Sequence, residues 1–182
     1  MGKATITGLD PLEFTFVATH EPPPLPDVTL VVGLPRPATA RDVLRDATTL
    51  GVRAIHFVAT ERTNASYADS RLWTSGEARA LLVAGAAQAF DTRLPTVTHG
   101  RPLANVLGAG VALDNYEAPE HLGRWHRPPG PITVLIGPER GWGPADRAAI
   151  RAAGIPLFHL GGRVLRVETA VVAALTLVNA PR

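Results

Sequence analysis

The sequence contains no cysteine, which excludes disulfides, thiolate chemistry and Cys-ligated zinc. No run of about 18 apolar residues occurs, and the amino terminus lacks the basic region and apolar stretch of a signal peptide. A cytoplasmic protein without a membrane partner is therefore the expectation. Blocks of like charge are missing as well. The formal charge is only +2, and the high pI of about 9.7 reflects basic residues that are almost all arginine, a balance that suits RNA without requiring it. The six histidines form no i, i+4 pair and no HExxH pattern, so no metal is expected, and His56 and His159 read as packed residues with one satisfied ring nitrogen. No GxGxxG follows the first strand-like run and no P-loop lysine is present, which argues against a dinucleotide-binding fold and an NTPase.

What remains is a chain of 182 residues, 46% hydrophobic, enough for one main core and a small appendage. From Val28 onward short apolar runs alternate with helical stretches. Strands are expected at residues 29–34, 54–59, 110–113, 132–136 and 157–160, with a short extended piece from Pro95. Helices are expected over Ala38–Leu50, closed by Gly51, over Glu77–Phe90 with Ser75 as N-cap, and over Pro144–Ala153 and Glu168–Asn179. Such alternation predicts an α/β fold with a mostly parallel sheet and helices on both faces. Residues 1–27 differ: Thr5–Thr7 and Glu13–Val17 read as two short strands, and Glu21–Pro26 as a stiff linker. The expected organisation is therefore a β segment with linker over 1–27 and one domain over 28–182.

Two glycine-bearing segments stand out. Gly137-Pro138-Glu139-Arg140-Gly141-Trp142-Gly143 and Leu160-Gly161-Gly162-Arg163-Val164-Leu165-Arg166-Val167-Glu168-Thr169-Ala170 each leave a strand-like run, pass through glycines and enter a helix-like run. Together they can bring glycine backbone and helix N-termini to one place, where free amides would hold polar ligand atoms. Singly, each glycine would be a tight turn and nothing more. Trp142 could either pack or stack on a base. Glu168 could simply complement the dipole of the last helix with Arg166 as its partner, and Arg62 could be a surface ion-pairing residue. Val171, Val172, Leu175 and Val178 make the last helix apolar over a broad arc, as an interface would require.

In order and spacing the two segments resemble the signature of the RsmE-type RNA methyltransferases of the SPOUT superfamily, approximately GPEGG followed by LG-x-RILRTETA. Asp46-Ala47-Thr48-Thr49-Leu50-Gly51-Val52 resembles the family's KATELGV, Glu61-Arg62-Thr63 its SER or ERS loop, and Gln88 falls where the family has EQS or EQC. The likeness covers about residues 28 to 180. It implies a C-terminal trefoil knot that holds S-adenosylmethionine, with backbone at Gly137, Pro138, Gly141 and Gly161 reading the adenine. Leu135, Ile136, Leu160 and Leu165 would give apolar cover, and Thr169 and Ala170 complete the expected cofactor site. It also implies a homodimer acting on N3 of a uridine in ribosomal RNA of the small subunit. Arg166 would hold a phosphate or the uracil oxygens, and Glu168, Glu139 or a water would accept the N3 proton. Arg62, Gln88, Arg93 and Arg140 would face RNA.

The chain also departs from the pattern. Arg140 stands in place of a glycine, Val167 in place of a threonine, and Asp91 where an arginine usually follows EQSG. Of the family's N-terminal PUA-like barrel only something like the last strands could fit in residues 1–27. Other acceptors, a ribose 2′-hydroxyl or a tRNA base, and a non-catalytic knotted binding protein remain open alternatives.

Overall fold

The computed structural model describes residues 2–180; residues 1, 181 and 182, at the ends of the two expected segments, lie outside the described residues. The chain opens with β1 (Gly2–Leu9) and β2 (Leu12–Ala18), an antiparallel hairpin. Ile6 pairs with Phe14 and Ala4 with Phe16, so one face of the hairpin is apolar, yet Ile6, Phe14 and Phe16 are all exposed.

The body begins at β3 (Val28–Gly33), followed by α1 (Pro37–Leu50) and β4 (Ala54–Ala59). A 3-10 turn at Ala65–Asp69 and the short α2 (Arg71–Thr74) lead to α3 (Glu77–Gln88) and β5 (Thr96–Pro102). Next come β6 (Gly110–Leu113), β7 (Glu120–His121), β8 (Ile132–Ile136), α4 (Pro144–Ala152), β9 (Leu157–His159) and α5 (Val167–Asn179). The long elements fall where the sequence pattern puts them. Two details differ. The N-cap of α3 is Gly76, although the Ser75 hydroxyl still accepts the Glu77 amide at 3.4 Å. The helix also stops two residues before Phe90, because Phe90 turns to φ 55° and the Asp91 and Phe90 amides fold back onto the carbonyls of Ala86 and Ala87.

Seven strands form one sheet in the order β5-β4-β3-β8-β6-β9-β7, and each pairing in it is parallel. Parallel strands need both faces covered, and side-chain alternation sorts the cover. Leu30, Val32, Ile55, Phe57, Val134 and Ile136 point to one face, where they meet Val43 and Leu44 of α1, Leu82 of α3, and Val171, Leu175 and Val178 of α5. Val31, Val58, Ala112 and Leu135 point to the other, under Trp142 and Ile150 of the α4 region.

This partition corrects the reading of the last helix. Val171, Leu175 and Val178 are buried within the protomer, and only Val172 of the four apolar positions is exposed. The breadth of the apolar arc is used chiefly on the chain's own sheet and on α1.

Candidate active site

Because the strands are parallel, their carboxyl ends converge on one edge of the sheet, the usual place for a ligand in an α/β fold. Chain order reverses beside β8: β3, β4 and β5 run outward one way, while β6, β9 and β7 lie on its other side. Two clefts open at this edge, and the turn that follows β8 divides them.

That turn is tightly built. The Gly141 amide donates to the Pro138 carbonyl at 2.7 Å, and Gly141 sits at φ 66°, a conformation that suits glycine. A Cβ at Gly137 would come within 3.1 Å of the Trp142 nitrogen and 3.2 Å of Gly141 Cα, a tight approach that a larger residue could share only if the turn gave by a few tenths of an ångström. Trp142 then dives into the core, 1% exposed, with its indole Nε1–H donating to the Leu113 carbonyl at 2.9 Å. This settles the two readings of Trp142 in favour of packing.

The first cleft lies at the ends of β6, β8 and β9, a cavity of about 100 Å³ that opens to solvent. Ile136, Gly137, Pro138, Glu139 and Gly141 form one wall, and Leu160, Gly161, Leu165 and Ala170 another. These are the residues the two glycine segments predict, now brought together from both. A Cβ at Gly161 would meet nothing within 4 Å, which leaves open space beside this residue, although its amide is already donated to His159 Nδ1 at 3.0 Å. Two expected residues do not line the cleft. Leu135 points to the opposite face of the sheet from Ile136, under Trp142, as the two-residue period of a strand demands. Thr169 is exposed on the first turn of α5.

A third wall, Asp114, Asn115 and Tyr116, was not singled out from the sequence. Its signal was positional: the three residues follow β6 at its carboxyl end. Asp114 is buried, accepts the amides of Tyr116 at 2.7 Å and Glu117 at 3.1 Å, and is paired with the buried Arg147 at 2.5 Å. Burial works against charge on this carboxyl, but the Arg147 guanidinium and the two amides outweigh it and hold Asp114 below the usual carboxylate range.

The second cleft lies beyond the turn, at the ends of β3, β4 and β8. Arg36, Arg62 and Arg140 line it together with Asn64 and Tyr67, and it shares Pro138 and Glu139 with the first. Arg62 Nη1 donates to the Arg140 carbonyl at 2.8 Å, a backbone contact in place of the surface ion pair considered from sequence. Glu139 Oε1 accepts the Arg36 amide at 3.1 Å and lies 3.5 Å from Arg36 Nε. Arg36 was missed in the sequence because it sits in the β3–α1 loop, far in the chain from either glycine segment.

The helix N-termini do not serve as expected. At α4 the Gly143 amide is taken by Asp146 at 2.9 Å and the Ala145 amide by Glu61 at 2.9 Å, so these donors are already satisfied. Arg166 is the N-cap residue of α5, its side chain 80% exposed and only 3.9 Å from Glu168. Neither lines either cleft, although their chain neighbours Leu165, Val167 and Ala170 line the first.

Gln88 and Arg93 lie apart from both clefts. Gln88 borders a groove with Thr49 and Val172, while Arg93 is bound to Glu21 and the Pro22 carbonyl. The connection explains this: α3 returns antiparallel to the strands, so its end and the start of β5 sit at the amino edge of the sheet. His56 Nδ1 bonds Thr98 Oγ1 at 2.8 Å, and His159 Nδ1 accepts the Gly161 amide at 3.0 Å, each with one nitrogen satisfied. Among the described residues no three His, Asp or Glu side chains group closely enough to hold a metal ion, and no helix is long and apolar enough to cross a membrane.

Residues 21–179 match the profile of the RNA methyltransferase domain. The chain is 35% identical over 162 residues to the ribosomal RNA small subunit methyltransferase E of Treponema pallidum, covering 83% of this chain and 61% of that protein. It is 30% identical to the protein of the same description from Synechocystis, covering 86% of this chain and 54% of that one. Among solved structures, a ribosomal RNA small subunit methyltransferase E from Neisseria gonorrhoeae bound to S-adenosyl methionine superposes with a TM-score of 0.70 at 26% identity, over 82% of this chain and 63% of that one. The chain thus spans between about half and three fifths of the length of these curated relatives.

Proposed function

The chain belongs to the RNA methyltransferase domain family, and from that premise we propose that it is an S-adenosylmethionine-dependent methyltransferase of the cytoplasm acting on N3 of a uridine in small-subunit ribosomal RNA. The observation that carries the proposal is the pair of clefts with a common wall. One is a glycine-floored pocket walled by both glycine segments; the other is lined by three arginines, as a site for a nucleotide and its phosphates would be. They meet at Pro138 and Glu139, so two ligands seated in them would adjoin there.

The fit of the first cleft to the cofactor rests on the open space beside Gly161 and on the apolar Ile136, Leu160 and Leu165. When bound, S-adenosylmethionine supplies an electrophilic methyl group. The remaining tasks fall to the protein: aligning the uracil, and accepting the N3 proton so that the nitrogen lone pair becomes available. Arg36, Arg62 and Arg140 hold the nucleotide by charge and by planar donors. Glu139 faces both clefts, with Oε1 engaged by Arg36 and Oε2 available as the proton acceptor. Glu168 is the second candidate for that proton. Arg166, exposed and weakly paired, offsets the charge that develops on the uracil oxygens.

The trefoil knot implied by the family signature is part of this reading, supported by the way residues 160–170 close against the 137–141 turn in one cleft. So is a homodimer, for which the exposed Val172 on α5 and the exposed Val164 supply apolar surface.

The test is methylation of small-subunit ribosomal RNA with labelled cofactor, followed by base-resolved mapping of the product. Arg166→Ala is expected to lower turnover by about a hundredfold, on the scale of removing one oxyanion donor, with cofactor affinity little changed. Loss of cofactor binding with normal turnover at saturation would instead put Arg166 in the cofactor pocket.

A further inference from the structure

We infer that Tyr116 is an adenine-stacking platform of the first cleft, an inference that rests on reading that cleft as the cofactor site. Trp142 is unavailable for stacking, because it is buried and its indole nitrogen is committed to Leu113. Tyr116 has the opposite character. It is 70% exposed, it lines the first cleft, and it does not line the arginine cleft.

An exposed aromatic ring on a loop ordinarily loses conformational freedom when it binds, which weakens the gain. Here the backbone that carries the ring is held in advance. Its own amide donates to Asp114 Oδ1 at 2.7 Å, and the Glu117 amide donates to the same oxygen at 3.1 Å. The carboxylate is fixed in turn by Arg147, which is 6% exposed. The Arg147 guanidinium carbon also lies 5.7 Å from the centre of the Tyr116 ring, so the same cation that orders the loop backs the aromatic. Glu117 extends the brace to Arg151 at the end of α4.

The ring stands opposite the floor of the site. A Cβ built at Gly141 would come within 3.5 Å of Tyr116 Cε2, so the aromatic edge lies beside the turn that follows β8, on the side its glycine leaves open. A flat heteroaromatic group entering between that turn and residues 160–165 has this ring as its only aromatic neighbour among the cleft-lining residues other than the buried Trp142 and the imidazole of His159. The His159 imidazole already accepts the Gly161 amide and packs edge-on against His121. Adenine is the planar part of the cofactor, and stacking on it needs a π face and no particular hydrogen bond.

Calorimetric titration of S-adenosylhomocysteine into the full chain and its Tyr116→Phe and Tyr116→Leu variants tests this. Phenylalanine, which keeps the ring, should bind within about twofold of the native chain, and leucine about tenfold more weakly. The KM for S-adenosylmethionine should rise by a similar factor in Tyr116→Leu, with a smaller fall in kcat. The exposed position leaves the melting temperature unchanged in both variants. Equal binding by Tyr116→Leu and the native chain would overturn the inference and leave the proposed function standing. So would unchanged binding with lost turnover, which would assign the ring to the acceptor base. No binding by the native chain would remove the cofactor site itself, and the inference with it.

Discussion

Gly33→Ala tests how the sheet sets the position of the dividing turn. Gly33 ends β3, and a Cβ there would lie 2.3 Å from Pro138 Cδ and 2.7 Å from the Pro138 nitrogen, where ordinary contact begins at 3.4 Å. One of the clashing atoms is backbone and the other belongs to a rigid ring, so no side-chain rotation relieves the contact. The turn must move by roughly 1 Å, and overpacking of this kind costs about 1–3 kcal/mol. Alanine also restricts the unfolded chain, which returns about 0.4–1 kcal/mol. At the midpoints a net loss of about 1.3 kcal/mol remains, or a melting temperature lower by about 3–5 °C for a chain of this length. Since Gly137, Pro138, Glu139 and Gly141 wall the first cleft, S-adenosylhomocysteine should bind about tenfold more weakly, equivalent to about 1.4 kcal/mol. Urea denaturation and calorimetry read the two effects. Gly162→Ala is the control, because a Cβ there meets nothing within 4 Å, and its stability should stay within about 0.5 kcal/mol of the native chain. A Gly33→Ala protein with native stability and native affinity would refute the claim that this contact holds the turn.

Three further outcomes follow from burial and charge. Leu175→Ala should destabilise by about 2–5 kcal/mol in urea, because the side chain is fully buried within the protomer. Val172→Glu should leave the fold intact and shift light-scattering mass toward monomer; an unchanged dimer mass would put the interface away from this face of α5. Asp114→Asn leaves the buried Arg147 with only the Glu117 carboxylate, 3.5 Å from its Nε, and should cost up to about 3–5 kcal/mol at pH 7. The folded pKa of Asp114 is depressed, so its contribution is whole above the unfolded value near ~3.9 and is lost as pH falls through the folded one. The gap between native and variant should therefore narrow below about pH 4, and a gap constant down to pH 2.5 would show that the ion pair contributes nothing to stability.

The α/β body was legible because its strands are apolar on both faces and its helices carry punctuation such as Pro37, Gly51 and Pro144. The two glycine-bearing walls of the first cleft were legible for a different reason: both segments are continuous in the chain, so their signature survives without the fold. The exceptions follow from geometry that a linear pattern does not carry. Leu135 and Ile136 are adjacent and apolar, and only the pleat decides which one reaches the cleft. Arg36 and Tyr116 each come from a separate loop and acquire a role only when β3 and β6 flank β8. Leu175 and Val172 both belong to one apolar arc, and it took the packing of α1 and the sheet to separate core from surface.

The pairing of β3 with β8 has a consequence for biogenesis. A ribosome making 5–20 residues each second needs roughly 5–20 s to pass from the end of β3 to the start of β8, about 100 residues later. During that interval β4 and then β5 are made and can add to one side of β3, but β3 keeps its other edge, rich in valine and leucine, unpaired. Native pairing gives that edge no neighbour other than β8. The nascent protein therefore exposes its future centre as a sticky margin for most of its synthesis, and its yield should depend on chaperone capacity and elongation speed more than its finished stability would suggest.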